Sequence, residues 1–250
     1  MHDPLRDHLE HVFVHVQLAT LLQPIVDLEH DEIFGYEAFA RLPSDSPLST
    51  PAALSGAARR YGLLGAFDWA RTALGAARFV HLGLAGRLLV RVEPDSLFDA
   101  HFQPPFLTRA LAAAGLPPER LVLDAGELSA SSVREFVGIA QRLQAEGIGF
   151  AMAGCGACGA PGAAFVRVDV RRSIADVASG IPFAQSAAPG CALVAVGVDA
   201  PSDLVTVRAQ GIRYAQGRLI ADPSPVPLRR VPDAVRRRAV AQARRSPPHR

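Results

Sequence analysis

Cysteine is scarce in this sequence, and long apolar runs are absent. The three cysteines, Cys155, Cys158 and Cys191, form no even disulfide framework, which excludes a small disulfide-stabilised scaffold and fits a reducing compartment. No apolar run approaches the roughly 20 residues that a membrane-spanning helix needs. The first residues also lack the basic flank and uninterrupted apolar stretch of a signal peptide. We therefore expect a cytoplasmic protein with free thiols and no transmembrane segment.

Lysine is absent, so all 26 basic residues are arginine. Eight of them lie within residues 229–250 beside one acid, Asp233, whereas residues 1–228 carry 18 arginines and 23 acidic residues. The net positive charge of residues 229–250 can attract nucleic acid, acidic lipid headgroups or an acidic protein surface. No aromatic stacking residues accompany it, and we interpret residues 229–250 as a flexible, solvated tail.

The remaining sequence predicts an α/β fold. Apolar, strand-like segments recur along the chain at residues 21–28, 33–41, 87–92, 120–125, 148–153, 164–169, 191–198 and 212–220. The first two are separated by a turn-sized gap and predict a hairpin. Helical segments alternate with the others at residues 51–79, 94–114, 131–146, 171–184 and 201–210. This alternation favours a parallel sheet closed into a barrel over residues 21–228, preceded by a helix within residues 1–20.

Six short motifs follow one another in a fixed order. They are QPIVDL from Gln23, GYEAFAR at 35–41, LVLDAGE at 121–127, FVRVD at 165–169, VGVD at 196–199 and YAQGRLI at 214–220. In order and spacing they resemble the QPI, EAL, LExTE, KID, EGVE and QG signatures of the EAL domain, the barrel that hydrolyses cyclic di-GMP in bacterial signalling. The resemblance implies a TIM-like (β/α) barrel of the EAL type.

The resemblance also implies a metal site, most of which is missing here. In the family, carboxylates and an asparagine hold two divalent cations that generate and position an attacking hydroxide. Glu37 matches the EAL glutamate, Asp124 shortens the first LExTE glutamate, Glu127 follows it, and Asp169 keeps the KID aspartate. These four residues are the expected remnants of the catalytic set.

The other metal-site positions are replaced. The asparagine becomes Arg91, whose charge would repel a divalent cation at close range. The DDFG aspartates become Ala153 and Gly154, the KID lysine becomes Arg167, and the EGVE glutamate becomes Val196. We therefore predict an inactive protein with no metal or other cofactor. The alternative is a weakly active phosphodiesterase that keeps Mg²⁺ or Mn²⁺ on Glu37, Asp124 and Asp169.

The later half of the barrel is shorter than the resemblance implies. Residues 153–169 span about two helical turns less than the family's equivalent, so we expect one helix to be lost. The same stretch contains Cys155 and Cys158, a CxxC pair that could suggest zinc or redox chemistry. A zinc site needs four ligands and only Cys191 is left among the cysteines, so a collapsed DDFG loop is the better interpretation.

Four residues match positions that lie near the bound dinucleotide in the family: Gln23, Glu37, Arg41 and Gln216. Arg91, in place of the asparagine, is a fifth candidate ligand residue. Arginine suits phosphate because its donors are forked, and Arg91 would replace metal charge by side-chain charge. A structural alternative is that Arg41 and Arg91 pair with Glu37 and Asp124 in an ion network.

The expected role is signalling by binding, either to cyclic di-GMP or to a protein partner. A scaffolding role through the basic tail is a third possibility. His8, His11 and His15 share one side of the leading helix; a metal could bridge two of them, but a mixed polar surface is the preferred interpretation.

Overall fold

Eight strands close into a barrel in sequence order. The computed structural model describes residues 3–14, 18–42, 46–99, 104–128, 130–153, 163–171 and 191–236. The strands are β1 (Ala19–Asp27), β2 (Glu32–Arg41), β3 (Arg87–Arg91), β4 (Leu121–Asp124), β5 (Gly149–Ala153), β6 (Phe165–Asp169), β7 (Ala192–Val196) and β8 (Tyr214–Ala215). The predicted barrel is confirmed, and each predicted strand segment overlaps one observed strand.

One strand runs against the others. β1 is antiparallel to both β2 and β8, whereas the remaining neighbours are parallel. The predicted hairpin is therefore present, and its turn places Asp31 in the left-handed region at a φ of 54°. β8 is shorter than the predicted segment because the chain turns after it, where the amides of Ile220 and Ala221 donate to the Gly217 carbonyl at 3.0 and 3.1 Å.

Helices cover the outside of the barrel. They are α1 (Pro4–Val14), α2 (Pro51–Arg60), α3 (Leu64–His81), α4 (Pro94–Phe98), α5 (Pro104–Ala114), α6 (Ala130–Ala145) and α7 (Pro201–Ala209), with a 3-10 helix at Pro118–Arg120. α2 begins as predicted, because the Thr50 hydroxyl accepts a hydrogen bond from the Ala53 amide at 3.2 Å and Pro51 occupies the first turn. None of the described helices is both long and apolar enough to cross a membrane.

The core has an inner and an outer layer. The inner layer fills the barrel with side chains from alternate strand positions, namely Ile25, Leu89, Val122, Ala151, Phe165 and Val194. The outer layers lie between the strands and the helices. A further cluster places Leu9 of α1 against α2 and α3, so the leading helix packs on the barrel.

The start of the predicted tail is not separate from the barrel. Val231 and Val235 are buried in the same apolar cluster as Val26 of β1, and Arg236 donates to the Asp31 carbonyl at 3.2 Å. The predicted boundary at residue 229 is corrected to this extent, because residues 229–236 bury apolar side chains. Several predicted features lie outside the described residues: His15, the Cys155–Cys158 pair, most of the helix at 171–184 and residues 237–250.

Candidate functional site

The strand period brings charged side chains to one end of the barrel. Arg91, Asp124 and Arg167 each follow an inner-layer residue of the same strand by two positions, so all three point inward. Because these strands are parallel, the three side chains form a layer at the carboxyl end of the barrel. Glu37 joins them from β2, in register with Leu89 of β3.

Arg167 is the centre of this layer. Its Nη1 donates to Glu37 Oε1 at 2.9 Å and its Nη2 donates to Glu37 Oε2 at 2.7 Å, which makes a bidentate pair. The same Nη1 also donates to Asp124 Oδ2. The Arg167 side chain is 11% exposed, Glu37 5% and Asp124 not at all. One guanidinium thus bridges two buried carboxylates from strands on either side of β3.

Two glutamines extend the network. Gln216 Nε2 donates to Glu37 Oε2 at 2.9 Å and to Gln23 Oε1 at 3.0 Å, while Gln216 Oε1 accepts from Arg167 at 3.1 Å. Gln23 in turn donates to the Ala221 carbonyl at 2.9 Å. The sequence predicted that Gln23, Glu37 and Gln216 would lie together, and the fold places them in direct contact.

Arg91 covers Asp124 from the solvent side. Its Nη1 lies 3.6 Å from Asp124 Oδ2, and its side chain is 40% exposed. The space for this guanidinium exists because residue 126 is glycine: a Cβ there would lie 2.0 Å from Arg91 Nη2. Gly126 also has a φ of 66° and donates its amide to Asp124 Oδ1 at 2.9 Å. The turn after β4 therefore holds both Asp124 and Arg91 in place.

Electrostatics keep the Arg167 guanidinium charged. Burial on its own lowers the pKa of Arg167, but the negative charges of Glu37 and Asp124 raise that pKa above its ordinary value. Removing one partner of such a buried pair leaves an uncompensated charge, which costs far more than the pair contributes. The two carboxylates and the guanidinium are consequently one structural unit.

Two predicted remnants and one predicted ligand residue lie at or just after the carboxyl ends of their strands but are not bonded to Arg167. Asp169 accepts from Arg171 Nε at 2.8 Å and Arg171 Nη2 at 2.7 Å, and Glu127 and Arg41 are exposed. The structural alternative is an ion network of Arg41 and Arg91 with Glu37 and Asp124. Arg91 does pair with Asp124, but Arg167 rather than Arg41 pairs with Glu37.

The remaining carboxylates do not fit a divalent cation. Both oxygens of Glu37 and both oxygens of Asp124 already accept hydrogen bonds from N–H donors, and a guanidinium stands between the two groups. The replaced positions at this level, Ala153 and Val196, offer no side-chain oxygen. Within the described ranges, the one group of three residues with metal-ligand spacing is Asp27, Glu29 and His30, and Arg213 already binds Asp27 at 2.6 Å there.

An ion pair that the sequence did not predict lies beside the mouth of the barrel. Asp68 of α3 is fully buried, lies 2.7 Å from Arg71, and accepts from the Glu93 amide at 2.7 Å. Burial raises the pKa of Asp68, and the charge of Arg71 opposes that rise. This pair fixes the segment that follows β3. Arg91 is the last residue of β3 and lies next to that segment. The available signal was the i, i+3 spacing of the two residues within an apolar helix.

Comparisons with known proteins agree with this architecture. A model of the EAL domain family matches residues 6–174. The Xanthomonas citri FimX EAL domain in complex with c-di-GMP is 22% identical with a TM-score of 0.74, over 90% of this chain and 94% of that one. The PaMucR phosphodiesterase in its c-di-GMP complex is 20% identical with a TM-score of 0.76, over 88% and 97%.

A third structure is the manganese and c-di-GMP complex of Klebsiella pneumoniae BlrP1. It is 24% identical with a TM-score of 0.71, over 83% of this chain and 56% of that one. No curated protein sequence matches the chain.

Proposed function

This chain belongs to the EAL domain family, and we propose that it is a catalytically inactive member that binds cyclic di-GMP without cleaving it. The observation that carries the proposal is the position of Arg167, whose guanidinium bridges Glu37 and Asp124. The side chain supplies inside the barrel the positive charge that divalent cations supply in a metal-dependent hydrolase.

A guanidinium cannot replace the chemistry of those cations. In metal-dependent hydrolysis of a phosphodiester, the cations lower the pKa of the attacking water and neutralise the developing charge. Arginine remains protonated in proteins and has no acceptor, so it can neither bind a hydroxide as a metal does nor act as a general base. Glu37 and Asp124, for their part, have their oxygens engaged by N–H donors. Binding without turnover follows.

The mouth of the barrel still suits an anionic dinucleotide. Arg91 is held against the Gly126 turn with 40% of its side chain exposed, and Arg41 is exposed at the carboxyl end of β2. Arg167 and Arg91 offset the charges of Glu37 and Asp124, which leaves the forked donors of the two outer arginines for phosphate oxygens. The FimX and MucR relatives whose fold this chain shares were solved with c-di-GMP.

The competing proposal is a weakly active enzyme with a reduced metal site on Glu37, Asp124 and Asp169. Two contacts weigh against it. Asp169 is paired with Arg171, and Arg167 separates the other two carboxylates. A metal would have to displace a buried guanidinium that is bonded to four side-chain oxygens.

Calorimetric titration with cyclic di-GMP tests the proposal. We expect micromolar binding in EDTA that does not change when Mg²⁺ is added. Arg91→Ala should weaken the affinity at least about tenfold, as expected for a lost charge-assisted hydrogen bond. Arg109→Ala is the matched control, because Arg109 is an exposed arginine of α5 that contacts Phe106.

Two results would overturn the proposal. Binding that requires Mg²⁺ would indicate a metal site. Absence of heat both in EDTA and with Mg²⁺ would exclude a nucleotide receptor. Binding to a protein partner would then be the remaining hypothesis.

A further inference from the structure

A cavity of about 470 Å³ lies at the amino end of the barrel, away from the mouth. Its walls include the start of β2 at Glu32 and residues 83–85, which precede β3. The C-terminal segment closes it with three arginines: Arg229, Arg230 and Arg236.

The three guanidinium groups are not paired with carboxylates. Arg229 donates to the Leu82 carbonyl, and Arg236 donates to the Asp31 carbonyl at 3.2 Å. Arg236 Nε is buried without a hydrogen-bond partner, and Arg230 is exposed. Over the described ranges, none of the three takes part in an ion pair. Neutral carbonyl oxygens satisfy part of their donors and do not offset their charge.

Three exposed arginines of the chain pair with carboxylates instead: Arg59 with Glu93, Arg213 with Asp27 and Arg218 with Asp199. Arg78 and Arg120 donate to backbone carbonyls, as the cavity arginines do, but neither lines this cavity. Asp31 and Glu32 also line the arginine cavity, so its lining carries three positive and two negative side chains. The guanidinium groups exceed the carboxylates by one positive charge, which favours the binding of an anion in this concavity.

We infer that this cavity binds a small phosphorylated anion. Forked donors from several arginines match a phosphate, which presents several charged oxygens within a small volume. The cavity volume falls within the roughly 300–1,000 Å³ typical of small-molecule sites. The site is independent of the proposed cyclic di-GMP site, because it lies at the opposite end of the strands and uses different arginines.

Titration of the 250-residue chain with inorganic pyrophosphate, by calorimetry and by thermal shift, tests the inference. We expect one site per chain whose affinity weakens at least about tenfold in Arg230→Gln and in Arg236→Gln. Arg236→Lys, which keeps the charge but loses the fork, should give an intermediate affinity. Arg109→Gln and Arg91→Gln should bind pyrophosphate as the wild type does, because neither residue lines the cavity.

Each other outcome has a definite meaning. Equal weakening in Arg109→Gln would show that pyrophosphate responds to net charge, and weakening in Arg91→Gln would place it at the barrel mouth; either result overturns the inference. Absence of saturable binding to the wild type would do so as well. Arg230 is exposed, so its variant is expected to fold even if Arg236→Gln does not.

Discussion

Arg167 and Glu37 form a bidentate ion pair across the barrel although 130 positions separate them in the sequence. The two N–H···O distances are 2.9 and 2.7 Å. Since Asp124 accepts from the same guanidinium, three buried charges from three strands depend on one another. Both the expected stability of this site and the proposed absence of a metal ion follow from this arrangement.

Arg167→Met should lower the free energy of unfolding by about 3–5 kcal/mol, because it leaves Glu37 and Asp124 buried without their partner. Urea unfolding measures the change. Arg171→Met is the matched control, since the Arg171–Asp169 pair is largely exposed and its loss should cost no more than about 1 kcal/mol. An equal loss of unfolding free energy in the two variants would contradict the conclusion that Arg167 stabilises the two buried carboxylates.

Gly126→Ala should weaken cyclic di-GMP binding as much as Arg91→Ala does, although Arg91 is retained. The added Cβ would occupy the space of the Arg91 guanidinium, 2.0 Å from its Nη2, and would displace it from the mouth. The positive φ of Gly126 adds about 1–2 kcal/mol of backbone strain. Calorimetric titration measures the loss of nucleotide affinity, and urea unfolding of the same preparation measures the loss of stability from backbone strain.

Gly138→Ala is the control for that variant. Gly138 lies exposed in α6, and a Cβ added there would meet nothing within 4 Å. Alanine at this position should therefore stabilise the protein by roughly 0.5–1 kcal/mol and leave binding unchanged. Undiminished nucleotide affinity in Gly126→Ala would show that Arg91 does not contact the ligand from its present position.

Acid stability should depend on Asp27. Burial raises the pKa of this carboxyl, but hydrogen bonds from Arg213 and His30 outweigh burial and place the pKa well below its ordinary value. A lowered folded-state pKa stabilises the protein above the unfolded-state pKa of about 4, and that contribution is lost as the pH falls further. Melting temperatures between pH 6 and pH 2 should therefore fall more steeply for the wild type than for Asp27→Asn. Parallel curves would contradict this assignment.

The sequence predicts the barrel well because its strands are short apolar runs with regular spacing. The segment LVLD at 121–124 shows both features: its apolar residues fill the core, and its last residue lies at the carboxyl end, where parallel strands place functional groups. Thr50 and Pro51 likewise mark the start of α2. Such signals are local and do not depend on knowledge of the tertiary contacts.

The pairing inside the mouth could not be predicted with the same success. Sequence alone identified Arg167 as the replacement for a lysine, but it did not show which carboxylate the side chain reaches. That choice depends on the distance across the closed barrel between β6 and β2, and on Arg167 pointing inward between Val166 and Val168. Arg41 was the closer candidate in sequence, yet it lies too far along β2 and is exposed.

The most direct test of the proposed inactivity is a hydrolysis assay in which purified protein is incubated with cyclic di-GMP and Mg²⁺ or Mn²⁺. Chromatography then measures the linear dinucleotide. We predict no metal-dependent product from the wild type, and none from Glu37→Ala. Metal-dependent conversion by the wild type that disappears in Glu37→Ala would contradict the proposal, because Glu37 would then be a working metal ligand rather than the partner of Arg167.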